Sequence, residues 1–211
     1  MGILNEISEA LQNGQAKVVG AKTQEALNQG LSASEILNDA LISGMGIIGK
    51  KFKNNEVYVP EVLIAARAMH TGLNILKPIL AETGIEPLGK VVLGTVKGDL
   101  HDIGKNLVGM MMIGAGLDVI DVGVDASAEK FVEAVKLHNP KVVALSALLT
   151  TTMPQQKVVI EALKAAGLRD NLKIMVGGAP VTHNYAKEIG ADAYTADAAS
   201  AAEVAKQFIV A

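Results

Sequence analysis

KVVLGTVKGDLHDIGKN, residues 90–106, changes character halfway along. Its first seven residues are almost wholly apolar or β-branched, the composition of a strand buried on both faces and not the alternation of a half-exposed one. GDLHD then breaks the run, and from Gly104 to Ala115 apolar residues recur at helical spacing. A buried strand that passes through a short polar loop into a helix is the opening unit of a parallel sheet, because parallel neighbours need a crossover between them.

The same unit recurs downstream. DVIDVG (118–123), KVVALSAL (141–148), LKIMVGG (172–178) and the weaker ADAYTA (191–196) are strand-like, and helical stretches follow at 126–138, 154–166, 181–189 and 198–208. Five strands alternating with five helices predict an α/β domain over 89–211: a five-stranded parallel sheet in flavodoxin-like order 2-1-3-4-5, with helices on both faces. EPLGK, residues 86–90, separates it from what precedes.

Residues 3–80 carry helical period and little strand character, which predicts a four-helix bundle over 1–88. Leu4, Ile7 and Leu11 share a face before Gly14; Val19, Thr23, Ala26 and Leu27 do so before Gly30. Ser32 stands three residues before Glu35, a capping-box spacing, ahead of Ile36, Leu37, Ala40 and Leu41. Gly44, Gly46 and Gly49 imply close helix contact or a break. Pro60 fits the first turn of a fourth helix, apolar on most sides and so central to the bundle.

The 211 residues are 50% hydrophobic but only 3% aromatic, so the core must be aliphatic. Lys plus Arg number 19 against 22 Asp plus Glu, with neither half markedly basic, which argues against a nucleic-acid surface. The absence of cysteine excludes disulfides, thiolate metal sites and cysteine nucleophiles. With no basic leader and no run of about 18 apolar residues, a cytoplasmic protein without membrane attachment is expected.

In such sheets ligands bind outside the carboxyl ends of the strands, here between strands 1 and 3. Strand 1 runs into GDLHDIGKN (98–106), strand 3 into SALLTTTMP (146–154) and strand 4 into GGAP (177–180). His101 follows Asp99 by two residues, and an imidazole that donates one ring nitrogen to a carboxylate is oriented as metal-ligating histidines are. The same pair also fits a surface histidine with Asp99 as a helix cap. His70, His138 and His183 are scattered, so a metal held by His101 would bring most of its own ligands, as a macrocycle does.

Asp99-x-His101-x-x-Gly104, 41 residues, Ser146-x-Leu148, 28 residues and Gly177-Gly178 together resemble the cobalamin-binding signature of methionine synthase and cobalamin-dependent mutases. The upstream NEVYVPEVLIAARAM, residues 55–69, is similar to the helical cap that precedes this domain in methionine synthase and in small corrinoid proteins of methyltransferase systems. The resemblance covers residues 3–208.

It implies that a cobamide binds with its own base displaced and His101 as lower axial ligand to cobalt, hydrogen-bonded by Asp99. Gly98, Asp102, Ile103 and Gly104 would lie along the loop where the displaced tail passes. Ser146, Leu148 and Thr150 would line the tail pocket or reach the corrin, and Gly177, Gly178 and Ala179 would let the tail approach backbone. Thr152 stands where the Asp-His relay of methionine synthase continues with serine; Tyr194 and Ala198 resemble the pocket's far wall. Tyr58 aligns with an aromatic that shields the methyl ligand, while Met69 and Met110–Met112 read as helix core.

The function implied is a methyl carrier, itself non-catalytic. It would be served by a substrate-specific methyltransferase, a second methyltransferase acting on tetrahydrofolate or coenzyme M, and a reductive activator. A cobalamin-dependent sensor or a small mutase subunit shares parts of the pattern. A receiver-like module would need paired carboxylates where this chain has Lys97 and Gly98.

Overall fold

The computed structural model describes residues 2–211. The chain divides into two compact units, one running to Pro87 together with Gly114–Gly116, the other comprising Leu88–Ile113 and Leu117–Ala211.

The first unit is helical. Helix α1 (Ile3–Gln12) buries Ile7, Ala10 and Leu11, and α2 (Ala16–Asn28) buries Val19, Thr23 and Ala26, the stripes expected from their periodicity. At Ser32 the capping box forms in full: Oγ accepts from the Glu35 N–H at 3.2 Å, and the Glu35 carboxylate accepts from the Ser32 N–H at 3.0 Å. Helix α3 (Ala33–Glu35) then runs without interruption through a π-helical segment (Ile36–Ile42) into α4 (Ser43–Lys53), so the three pieces form the third rod of the bundle. Among the glycines expected to mark close contact, Gly44 does: a Cβ there would stand 2.9 Å from Ser8 Oγ of α1. Gly46 faces open space instead.

The fourth rod, α5 (Val59–Glu82), has Pro60 in its first turn and Glu61 accepting from the Tyr58 N–H at 3.0 Å. It touches every other helix of the unit, which explains an apolar sequence on most sides. Leu63 and Ile64 nevertheless remain exposed.

The second unit alternates β1 (Lys90–Thr95), α6 (Ile103–Gly114), β2 (Asp118–Asp121), α7 (Ala128–His138), β3 (Val142–Ser146), α8 (Pro154–Ala165), β4 (Lys173–Gly177), α9 (His183–Glu188), β5 (Ala193–Tyr194) and α10 (Ala198–Val210). Every strand pair is parallel and the order is β2-β1-β3-β4-β5, as expected. Strand side chains alternate between two layers. Val92, Val143, Leu145, Ile174 and Val176 join Phe131 of α7, Ile160 and Leu163 of α8 and Ala186 of α9 in one cluster. Phe131 is wholly buried there; a side chain of that size in such a site is worth about 3–5 kcal/mol against alanine. On the opposite face, α6 approaches Leu93 at Gly109 and α10 packs on β3, presenting Ala198, Ala199, Ala201, Ala202 and Ala205 as its buried residues.

Strands are shorter than the sequence suggests, for a reason that builds the site. Strand β3 stops at Ser146 because the Leu148 N–H leaves the ladder and donates to Asp99, and β4 stops at Gly177 because Gly178 turns to φ +128°. Among the described residues, no helix is long and apolar enough to cross a membrane.

Candidate functional site

The register puts Thr95, Ser146 and Gly177 side by side at the carboxyl ends of β1, β3 and β4. From this edge three loops rise, and one carboxylate ties two of them together. Asp99 is completely buried. Its Oδ1 accepts from the His101 ring nitrogen Nδ1 at 2.7 Å and from the His101 backbone N–H at 3.1 Å. Its Oδ2 accepts from the Leu148 N–H at 2.7 Å and the Thr152 hydroxyl at 2.6 Å. Burial alone would raise the Asp99 carboxyl, but the hydrogen bonds from Thr152, Leu148 and His101 outweigh it and hold the group well below the usual carboxylate range.

An ionised Asp99 fixes the imidazole. Nδ1 carries the proton it donates, so in the neutral ring the lone pair lies on Nε2. The His101 side chain is half exposed, and its carbonyl is held from below by the Thr95 hydroxyl at 2.9 Å. Leu100 and Ile103, which flank His101 in the chain, are 72% and 76% exposed, and Leu148 and Leu149, in the loop that donates to Asp99, are exposed as well. Exposed apolar side chains on the loops that hold one nitrogen donor suit a large, flat, mostly apolar ligand that offers a metal at its centre. Among the described residues no three His, Asp or Glu side chains gather as a metal site, so a metal here would have to bring most of its own ligands. A cobamide, which brings its own equatorial nitrogens, fits that donor set.

The glycines differ in kind. A Cβ on Gly104, at the start of α6, would meet nothing within 4 Å. Gly177 would make only ordinary contact with Thr195 O at 3.5 Å, whereas a Cβ on Gly178 would overlap Ala147 O at 1.7 Å. Gly178 is therefore demanded by the fold itself, while Gly104 borders open space and Gly177 has room for a methyl group.

Asp99, His101, Leu148 and Thr152 thus form one network, with Ser146 half-buried beneath it and Thr150 exposed in the β3–α8 loop. Gly98, at φ +80°, makes the turn ahead of Asp99. Asp102 turns away to accept from the Asn106 side chain at 3.1 Å, and Ala179 is exposed beyond Gly178. Tyr194 leans on the core cluster that holds Phe131, whereas Ala198 lies outside that cluster, buried in the first turn of α10. Met69, Met111 and Met112 are buried, as core methionines should be, whereas Met110 is only half-buried.

Sequence reasoning missed Thr95, whose place in an apolar strand hides its role. It also missed Leu100 and Leu149, although a leucine beside His101 in an otherwise polar loop is a usable signal. A third omission is Lys105, a buried lysine on α6 whose ammonium pairs with Asp121 at the end of β2. That partner is sixteen residues away, beyond any helical spacing.

Residues 89–205 match the B12 binding domain, and residues 3–77 match a second B12 binding domain model that covers the helical unit. The chain is 41% identical to a corrinoid protein of Desulfitobacterium hafniense (strain Y51), over 99% of this chain and 98% of the relative. It is also 41% identical to dimethylamine corrinoid protein 1 of Methanosarcina acetivorans, over 98% and 97%. Among solved structures, the methanol:cobalamin methyltransferase complex of Methanosarcina barkeri superposes with a TM-score of 0.90 at 30% identity, covering 99% of this chain and 80% of that one. By fold, site and relatives alike, the chain belongs to the cobamide-binding corrinoid proteins of methyltransferase systems.

Proposed function

We propose that this chain carries methyl groups between two methyltransferases on a cobamide whose own base is displaced and whose cobalt is held from below by His101. One observation carries the reading: buried Asp99 fixes Nδ1 of His101, which leaves the lone pair of Nε2 on a half-exposed ring, in loops that also expose Leu100, Ile103, Leu148 and Leu149. When bound, the cobamide supplies a cobalt centre that accepts a methyl group from one protein and gives it up to another.

The chain's residues hold and orient. Asp99, ionised, keeps the imidazole in one tautomer and rotamer, and its charge would stabilise a proton taken up at Nε2 when the ring leaves the metal. Thr152 donates to the far oxygen of the same carboxylate and so helps to hold it ionised and in place. Ser146, Gly104 and Gly177 line the place for the displaced tail, and the exposed leucines cover the lower face of the ring.

The donor partner is a methyltransferase of the methylamine or methanol kind, as in the names of the relatives, and the acceptor partner passes the methyl to tetrahydrofolate or coenzyme M. A reductive activator returns oxidised cobalt to use, and the system works in the cytoplasm. The B12 match of the helical unit favours a carrier over a small mutase subunit.

The test is electron paramagnetic resonance of the protein loaded with cobalamin and reduced to Co(II). Nitrogen-14 splits each cobalt line into a triplet. Labelling only the histidines with nitrogen-15 must turn those triplets into doublets, and His101→Ala must abolish the change while still binding cobalamin. Triplets that persist in the labelled wild type show the cofactor's own base below the metal and end the axial assignment.

A further inference from the structure

Asp125 lies in the loop between β2 and α7, outside every motif considered above. Its Oδ1 accepts from the Gly98 N–H at 2.7 Å, and its own N–H donates to the Asp99 carbonyl at 2.9 Å. The next residue continues the hold, since the Ala126 N–H donates to Thr95 O at 3.0 Å and Ala126 bridges to Val96. Asp125 itself sits at φ +49°, a conformation that aspartate and asparagine tolerate better than other side-chain-bearing residues. A single residue of a neighbouring loop therefore grips the peptide groups on both sides of the Gly98–Asp99 turn.

That grip leaves Asp99 only its side-chain torsions. Its carboxylate is in turn the group that orients His101. We propose that Asp125 is a positioning residue for the axial histidine: it locks the Gly98–Asp99 turn from outside, so that the Asp99 carboxylate and with it the His101 ring are held in place before the cofactor arrives. The proposal rests on His101 being the cobalt ligand. It predicts a loop already ordered for ligation, whose imidazole returns to the same place each time it leaves the metal.

Two substitutions separate the hydrogen bond from the backbone conformation. Asp125→Gly keeps an easy positive φ but removes the acceptor; Asp125→Asn keeps both. In cofactor-free protein the Gly98 amide should exchange slowly in the wild type and in Asp125→Asn, and faster by about tenfold or more in Asp125→Gly, the size of one hydrogen bond to a charged group. In protein loaded with methylcobalamin, the visible spectrum should show the ratio of imidazole-bound to imidazole-free cobalt falling by a similar factor in Asp125→Gly and recovering in Asp125→Asn. A wild-type Gly98 amide without protection overturns the proposal without any variant. So does an Asp125→Gly protein that keeps the wild-type ratio while the wild type is imidazole-bound. A wild type with no imidazole on cobalt removes the parent reading and this one with it.

Discussion

The hydroxyl of Thr152 donates to Oδ2 of Asp99 from 2.6 Å, on the opposite side of the carboxylate from the oxygen that holds the His101 ring. Fifty-three positions separate the two residues, and the contact joins the β1–α6 loop to the β3–α8 loop. Threonine keeps the hydroxyl donor that a serine would offer, and its methyl lies 3.7 Å from where a Cβ on Gly98 would be.

Thr152→Val keeps that shape and removes the donor, so it should cost about 1–3 kcal/mol in urea unfolding near neutral pH. Asp99 is held below its unfolded value, so its stabilisation is complete above the ordinary carboxylate range and is lost as pH falls through that range toward the folded value. Losing one donor raises the folded value. The gap between wild type and variant should hold constant from neutrality downward and close only once pH falls below the variant's own folded value. A gap that already closes near neutrality would show that the effect does not run through Asp99. Thr152→Ser should match the wild type in the same titration.

Gly104 and Gly178 should respond oppositely to alanine. At Gly104 the Cβ meets open space in the first turn of α6, so Gly104→Ala should leave the melting temperature unchanged or raise it, by up to about 1 kcal/mol of helix propensity. If the displaced tail passes there, the same variant should bind cobalamin more weakly while binding cobinamide, which lacks the tail, as before. Gly178→Ala drives a Cβ into Ala147 O at a φ of +128°, and the fold should lose roughly 3 kcal/mol or more. Calorimetry of the cofactor-free proteins and equilibrium titration with the two corrinoids decide both. Equal losses for cobalamin and cobinamide in Gly104→Ala would remove the tail from that turn.

The α/β half was legible because the strands are buried on both faces: uninterrupted runs such as VVALS at 142–146 admit no other placement in a parallel sheet. The three loops of the site were legible for a related reason, since strand order alone brings residues 98–106, 146–154 and 177–180 to one edge. What the sequence hid is contact between distant polar groups. Nothing in the local pattern joins Thr95 to the His101 carbonyl, because a threonine in a strand is also what β-propensity favours. Nor does spacing tell Gly178, which the backbone requires, from Gly177, which it does not; that distinction lies in the approach of Ala147 from another strand's end. The π-helical segment at Ile36–Ile42 escaped as well, because one extra residue in a turn barely disturbs a helical hydrophobic stripe.

Lys105 and Asp121 should be unequal partners. The Lys105 side chain is 3% exposed and the Asp121 side chain 42%, so the two ends of this ion pair depend on each other to different degrees. Asp121→Ala leaves an ammonium buried on α6 with its carboxylate gone, a situation that costs about 3–5 kcal/mol in other buried pairs. It also removes the acceptor that Oδ1 gives the Gly123 N–H at 2.8 Å. Lys105→Met, by contrast, fills the same space with an unbranched apolar chain and leaves only a carboxylate that water can reach, so it should cost less than about 1.5 kcal/mol. Because Lys105 follows the His101 loop directly into α6, the aspartate variant should also speed amide exchange in the first turn of that helix, and the methionine variant should not. Equal losses in urea unfolding, or a larger one for Lys105→Met, would mean that the ammonium reaches water in solution and that the pair adds little to holding the start of α6 against β2.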